Sequence, residues 1–347
     1  MRVDIVAAES LGVRGLCCVV ETQDRKIVID PGLALGYQRE GLLPHPAQVA
    51  VGEEIRGLVL AALQTATDVV MSHYHGDHVP LLDANPYQLQ AQRVAPLSPA
   101  IRLWAKGREG LSPHMVHRRA ALAETLGRRL PDADGLALGA LAFSPPLPHG
   151  EPDTHLGTVI MTRVESEDAV FVHASDIQLL AEGAVAFLLD WHPDIALVGG
   201  PPLYLSHLSL AQRETAWEHA LQLARHVDTL ILDHHLLRSE EGLSWLERLS
   251  LEAGRPVLCA ADFMGWPRCL LEARRVQLYG EMPVPHGWHE AYACGDVGTE
   301  GYQDYWLKCR QVSPSAPAPA HAAGPARPAD KAGGVPAQKA GARRKVQ

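Results

Sequence analysis

Between residues 73 and 78 the chain reads His-Tyr-His-Gly-Asp-His, directly after the apolar run Val69-Val70-Met71 and Ser72. Three imidazoles and a carboxylate within six residues restrict the fold strongly, because a strand must deliver them together into one turn. Neutral imidazole nitrogens and a carboxylate oxygen are the ligands Zn²⁺ accepts from a protein without thiolates, so the turn is read as a metal site. The bland alternative is a polar turn in a chain that holds 18 His. The order of these residues, immediately after a strand, favours the metal.

The chain of 347 residues is long enough to bury a large core, as one big domain or two smaller ones. An apolar fraction of 47% and a charged fraction of 20% are those of a soluble globular protein. The net charge of −9 is uneven: residues 313–347 carry +5, which leaves −14 on residues 1–312. An acidic body repels phosphate backbones, so broad nucleic-acid binding is not expected, although a local basic patch would overcome the average. No apolar stretch reaches 18 residues, so no membrane span is expected. Met1-Arg2-Val3-Asp4 reads as the start of a strand with an early acid rather than as a signal peptide. The six cysteines, Cys17, Cys18, Cys259, Cys269, Cys294 and Cys309, form no Cys-x-x-Cys pair, and several lie in apolar contexts. They are read as buried free thiols, consistent with a cytoplasmic location. Homo-oligomers are compatible with all of this.

Along the chain, strands are expected at 3–7, 16–21 and 26–30, the last broken off by Asp30-Pro31-Gly32. A helix follows from Gly52 to Ala66 and leads into the strand that feeds the His turn. Residues 79–148 are expected to be a mainly helical insertion, with Ser112-Pro113 opening an amphipathic helix through Arg128. Strands resume at 158–164 and 169–173. Helices at 179–189, 209–226 and 240–253 then alternate with strands at 195–198, 228–232 and 256–260. Antiparallel-looking strands followed by βα alternation point to an α/β fold with sheets sandwiched between helices. Residues 1–312 form the expected domain, and the Ala/Pro/Gly-rich basic stretch 313–347 is expected to be a disordered tail.

A hydrolytic dinuclear site needs about seven ligands, and the turn supplies four candidates. The others are expected at later strand ends, where loops gather function. Three places qualify: His149, with His155 as its competitor; Asp176, after the strand ending at His173; and His234 or His235, after Leu230-Ile231-Leu232-Asp233. Loop histidines and a helix N-cap are the bland readings of these positions.

The residues His73, His75, Asp77 and His78 meet the His-x-His-x-Asp-His signature, and the chain thereby resembles the metallo-β-lactamase-fold hydrolase superfamily. Ser10-Leu11-Gly12-Val13-Arg14, Ile29-Asp30-Pro31-Gly32, Ala174-Ser175-Asp176, Gly199-Gly200-Pro201-Pro202 and Asp233-His234-His235-Leu236-Leu237-Arg238 are similar to an uncharacterised predicted-hydrolase branch within it. The resemblance covers roughly residues 1–275. It implies the four-layer αβ/βα sandwich of the metallo-β-lactamase type and two Zn²⁺ ions, with Fe or Mn as alternatives. His73, His75 and His149 would hold one metal and Asp77, His78 and His234 the other, with Asp176 bridging. Asp30 would support the turn by hydrogen bonds, while Ser10 and Arg14 lie near the site by analogy alone.

By the same resemblance, paired metals would bring the pKa of a water from ~15.7 toward ~7. Asp77 would orient that water and take its proton, and His173 or His235 would protonate the leaving group or brace a ligand. The expected substrate is a phosphodiester or small ester, anionic groups being met by basic residues of 79–148 such as Arg118 and Arg119. The alternatives are a nuclease acting on RNA or DNA, and a non-hydrolytic metal-binding or redox protein on the same scaffold. Asp176 and His234 are 58 positions apart, too short a span for the large nucleic-acid clamp of one RNA/DNA-processing branch.

Overall fold

The β-rich opening forms an antiparallel edge, as its two short apolar runs and polar turn require. In the computed structural model, which describes residues 1–152 and 156–310, β1 (Arg2–Ala7), β2 (Cys17–Glu21) and β3 (Lys26–Ile29) pair antiparallel. Two parallel strands, β4 (Asp68–Met71) and β5 (Arg102–Ala105), complete a five-stranded sheet in the order β1-β2-β3-β4-β5. His155, the boundary at 312 and the stretch 313–347 lie outside the described residues.

The second sheet has six strands in the order β13-β12-β11-β10-β7-β6. These are β6 (Ala137–Leu138), β7 (Leu141–Phe143), β10 (Thr162–Glu165), β11 (Val170–His173), β12 (Ile195–Val198) and β13 (Thr229–Leu232). The last three run parallel to one another. A two-stranded ribbon, β8 (Leu147–Pro148) and β9 (Thr158–Val159), bridges the interval between β7 and β10.

Helix α1 (Pro46–Gln64) packs against β1, and α4 (Leu210–His226) packs against β13 and α5 (Glu241–Ala253). Every residue of β4 and of β11 is buried, as expected of strands covered on both faces. The sheets meet through polar bonds as well as the shared apolar core. The His173 ring donates from Nε2 to the Leu16 carbonyl (2.8 Å), and the Ser72 and Ser175 hydroxyls are 2.6 Å apart. The αβ/βα sandwich expected from the sequence is the architecture observed. Among the described residues no helix is long and apolar enough to cross a membrane.

Several local expectations require correction. Helix α1 starts six residues before Gly52, because the His45 side chain caps the Ala47 amide and Pro46 takes the first helical position, where its missing N–H costs nothing. Residues 79–148 are not mainly helical: α2 (Pro113–Thr125) is their one α-helix, and β5, β6 and β7 extend the two sheets. The Ser112 cap is as expected, but α2 ends at Thr125 rather than Arg128. At 256–260 only an isolated bridge, Ile231 to Leu258, forms before the chain turns into α6 (Ala260–Met264). Cys17, Cys18 and Cys259 are buried free thiols, but Cys294 is exposed, and Cys269 and Cys309 form a disulfide with Cα atoms 5.5 Å apart. Apolar context alone did not reveal that pair, because it joins segments 40 residues apart.

Candidate metal centre

The C-terminal ends of the parallel strands of both sheets gather at one place, where open α/β sheets put their ligands. Strand β3 ends in Asp30, β4 in Ser72 and the His turn, β11 in Ser175 and Asp176, and β13 in Asp233, His234 and His235. Asp30, Ser175 and His234 adopt left-handed φ angles of 50°, 55° and 38°, a sparsely populated region for residues with a Cβ. Gly32 lets the chain after β3 lie against the His turn. Its amide donates to the His78 carbonyl (2.9 Å), and a Cβ there would meet Val79 N at 2.2 Å.

Asp30 braces the turn. Its Oδ1 accepts the Ser72 amide (2.7 Å), and its Oδ2 accepts the Ser72 hydroxyl (2.6 Å) and His78 Nδ1 (2.9 Å). The Ser72 oxygen lies 3.0 Å from His73 Nδ1. With the serine proton given to Asp30, the serine oxygen accepts from His73 Nδ1–H, which leaves the His73 Nε2 lone pair facing the cluster.

All seven residues read as metal ligands converge, and Asp176 stands between them. Its Oδ2 lies 3.1 Å from His149 Nε2, 3.3 Å from His73 Nε2 and 3.7 Å from His75 Nδ1. Its Oδ1 lies 2.8 Å from His78 Nε2 and 3.4 Å from His234 Nε2, yet Oδ1 is aligned for no hydrogen bond. His73 Nε2 and His75 Nδ1 are 3.0 Å apart, His78 Nε2 and His234 Nε2 3.3 Å, and His234 Nε2 and Asp77 Oδ2 3.5 Å. Ligand-type atoms are thus crowded within 4.8 Å of one another in each group of the cluster. The donor sets that have the chemistry to hold a metal ion are His73, His75 and Asp176 in one half and Asp77, His78 and His234 in the other, with His149 grouped with Asp176 and His235.

Burial, reinforced by His78, pushes His73 down to about 3, and burial with the Arg238 charge pushes His234 down to about 4. Burial lowers His149 and His235 as well, so these imidazoles are neutral and free to ligate at pH 7. Burial would raise Asp176, but His78, His234, His235 and His73 outweigh it and hold the carboxyl well below its usual range. The same pull raises His78 against the effect of burial, chiefly through Asp176 and then Asp30.

His173 does not fit the role of proton donor. Its Nε2 donates to Leu16, its Nδ1 accepts the Ser175 amide (3.2 Å), and it is fully buried, so neither nitrogen is left for a leaving group. His235 is close to the donors themselves: its Nε2 is 3.6 Å from Asp176 Oδ2, and its buried Nδ1 has no partner among the described residues. It groups with His149 and Asp176, so sequence reasoning that chose between His234 and His235 did not foresee that both face the cluster. Ser10 is tied to the site, its amide donating to Asp233 Oδ1 (3.1 Å), which also accepts the His234 amide (2.7 Å). Arg14 instead pairs with Glu272 through two hydrogen bonds. Gly199 packs against Asp176, where a Cβ would come within 3.3 Å of its Cα.

Most basic residues of 79–148 are engaged within the fold. Lys106 is fully buried on Asp134, Gly107 and Glu109, and Arg119 binds Lys106, Leu130 and Asp132. Arg118 donates to the Tyr74 carbonyl (3.2 Å) beside the turn. Sequence reasoning also missed Glu9 and the part played by Ser72 and Ser175, although both serines stand next to recognised donors.

The fold and site define a two-sheet α/β protein with a candidate metal-binding His/Asp cluster at its strand ends. The chain belongs to the UPF0282 family. It is 49% identical over 302 residues to a UPF0282 protein of Methanosarcina mazei, covering 87% of this chain and 99% of the relative. A UPF0282 protein of Methanopyrus kandleri is 36% identical over 295 residues, covering 81% of this chain and all of the relative. No family model matches the chain. Among solved structures, an isothiocyanate hydrolase from Delia radicum gut bacteria aligns with a TM-score of 0.46 at 16% identity, over 75% of this chain and 95% of that one. A metal-dependent hydrolase of the beta-lactamase superfamily aligns with a TM-score of 0.45 at 14% identity, over the same shares. The family assignment rests on the sequence relatives.

Proposed function

We propose that the protein is a metal-dependent hydrolase of a phosphodiester or small ester, built on a dinuclear zinc centre with Asp176 between the two ions. The observation that supports this reading is the convergence of seven donors on one buried cluster, with Asp176 Oδ2 toward His73 and His149 and its Oδ1 toward His78 and His234. His73, His75 and His149 would hold one ion and Asp77, His78 and His234 the other, while His235 is a further donor beside His149. Zinc in such a pair supplies Lewis acidity and acidifies water.

The chain's own residues do the rest. Asp77, part-exposed where most donors are buried, orients the attacking water and accepts its proton. Asp30 and Ser72 fix the ring orientations of His78 and His73, and His173 holds the Ser175 amide beside Asp176. His75, a quarter exposed, marks the side from which substrate enters. A small anionic or ester substrate suits a centre ringed by buried protein, and the −14 body disfavours the nuclease reading.

Metal analysis of the purified chain under saturating zinc, with a panel of phosphodiester, carboxyester and thioester substrates, tests the proposal. Two equivalents of zinc with turnover of one ester class is the expected result. Less than half an equivalent of any metal overturns it.

A further inference from the structure

The two halves of the cluster differ in one neighbour. Among the described residues, no Lys or Arg is hydrogen-bonded to the donor atoms of His73, His75 or His149. In the other half, Arg238 Nη2 lies 2.8 Å from His234 Nε2 and 3.0 Å from Asp77 Oδ2. That guanidinium nitrogen lies against the Nε2 through which His234 would bind a metal, while the Gly15 amide donates to His234 Nδ1 (3.3 Å), and the fixed positive charge offsets one of the carboxylates that would attract the ion.

Arg238 is not free to swing away. Its Nε donates to Glu9 Oε1 (2.8 Å), its Nη1 to the Tyr204 hydroxyl (3.2 Å), and its guanidinium carbon lies 5.7 Å from the centre of the Tyr204 ring. Glu9 and Arg238 are 2% and 6% exposed, so parting them strands a buried charge. A divalent ion at ligand distance from Asp77 and His234 therefore sits beside a pinned cation, whereas an ion in the other half does not.

We propose that the centre is asymmetric by construction: the His73/His75/His149 half binds its metal firmly, and Arg238 keeps the Asp77/His78/His234 half weak. The second ion then joins only when zinc is abundant, with Arg238 as the residue that sets that threshold. This inference rests on the metal-centre reading above.

Zinc titration of the metal-free full chain against a competing chelator tests it. Two uptake steps are expected in the wild type, the second weaker by about a hundredfold. Arg238→Gln should tighten the second step at least tenfold and leave the first unchanged. The paired change Glu9→Gln/Arg238→Met, which leaves neither charge buried alone, should do the same and covers the case in which the single variant does not fold. Asp77→Asn should weaken the second step alone. Two wild-type steps of equal affinity, or a second step unmoved in every folded Arg238 variant, overturn the inference while leaving the metal centre intact. A wild type that takes up no zinc overturns both.

Discussion

The turn on the first sheet and the donors on the second reach the same centre by different means. His73, His75, Asp77 and His78 come from six consecutive residues, so one neighbouring carboxylate, Asp30, can brace them through Ser72 and His78. Asp176 and the pair His234-His235 come from separate strand ends, and His149 from the end of the ribbon strand β8. Their placement relies on left-handed backbone at Ser175 and His234, each of order 1–3 kcal/mol of strain, and on Gly199 for room against Asp176. A contiguous cluster is positioned by hydrogen bonds to a brace, and scattered donors by the surrounding fold.

Asp176 is where the two schemes join, so its loss should have the largest effect. Asp176→Ala is expected to abolish both metal-dependent hydrolysis and retention of either ion, and His73→Ala to abolish hydrolysis. Full activity in either variant, measured beside metal content, would break the comparison at its centre.

Gly32→Ala tests the first sheet's scheme directly. The new Cβ would sit 2.3 Å from the His78 carbonyl carbon, so the backbone must shift. A loss of about 3 kcal/mol or more is expected from chemical denaturation, as for severe overpacking, together with loss of bound metal. Wild-type stability would show that the turn tolerates displacement.

Asp30→Asn keeps the shape of the brace and removes its charge. Metal affinity should fall about 10–100-fold, the usual effect of changing a group behind a ligand, with the fold retained. An unchanged chelator titration would remove Asp30 from the scheme.

One histidine from each sheet gives a pH test in metal-free protein. His73 and His234, held at about 3 and about 4, bind protons more readily when unfolded. The stability they contribute is present above the unfolded value near 6.5 and is lost on acidification, at about 1.4 kcal/mol per pH unit for each group. His78, raised in the fold, acts in the opposite sense: its contribution is complete below 6.5 and fades as pH rises through its folded value. Glu9, which burial raises to about 8, acts in the same sense as His78, and the lowered groups, with His149 and His235, outnumber the two. The chelated protein should therefore melt at lower temperature at pH 5 than at pH 7. A higher melting temperature at pH 5 would show that His78 and Glu9 dominate.

Much of the site was legible because donors at strand ends announce themselves by residue type: Asp30, the turn, His149, Asp176 and His234 all converge. The β12 strand, Ile195–Val198, and the start of α4 after Ser209 also follow from apolar runs and a cap. Arg238 was legible only as a letter four positions after His234, because its meaning depends on Glu9 and Tyr204, which are remote in sequence. His173 looked like a proton donor until Leu16, 157 residues away, was seen to take one of its nitrogens.

The sequence alone determined that a strand ends in a dense His/Asp turn, that strands alternate with helices after residue 158, and that the body is acidic. Local spacing and composition are enough for these. Only the tertiary structure decided that residues 79–148 extend both sheets, that His235 joins the donors while His173 does not, and that a guanidinium borders one half of the centre. Each of those depends on which remote groups share a buried site, and hydrogen bonding and charge act through space without regard to separation along the chain.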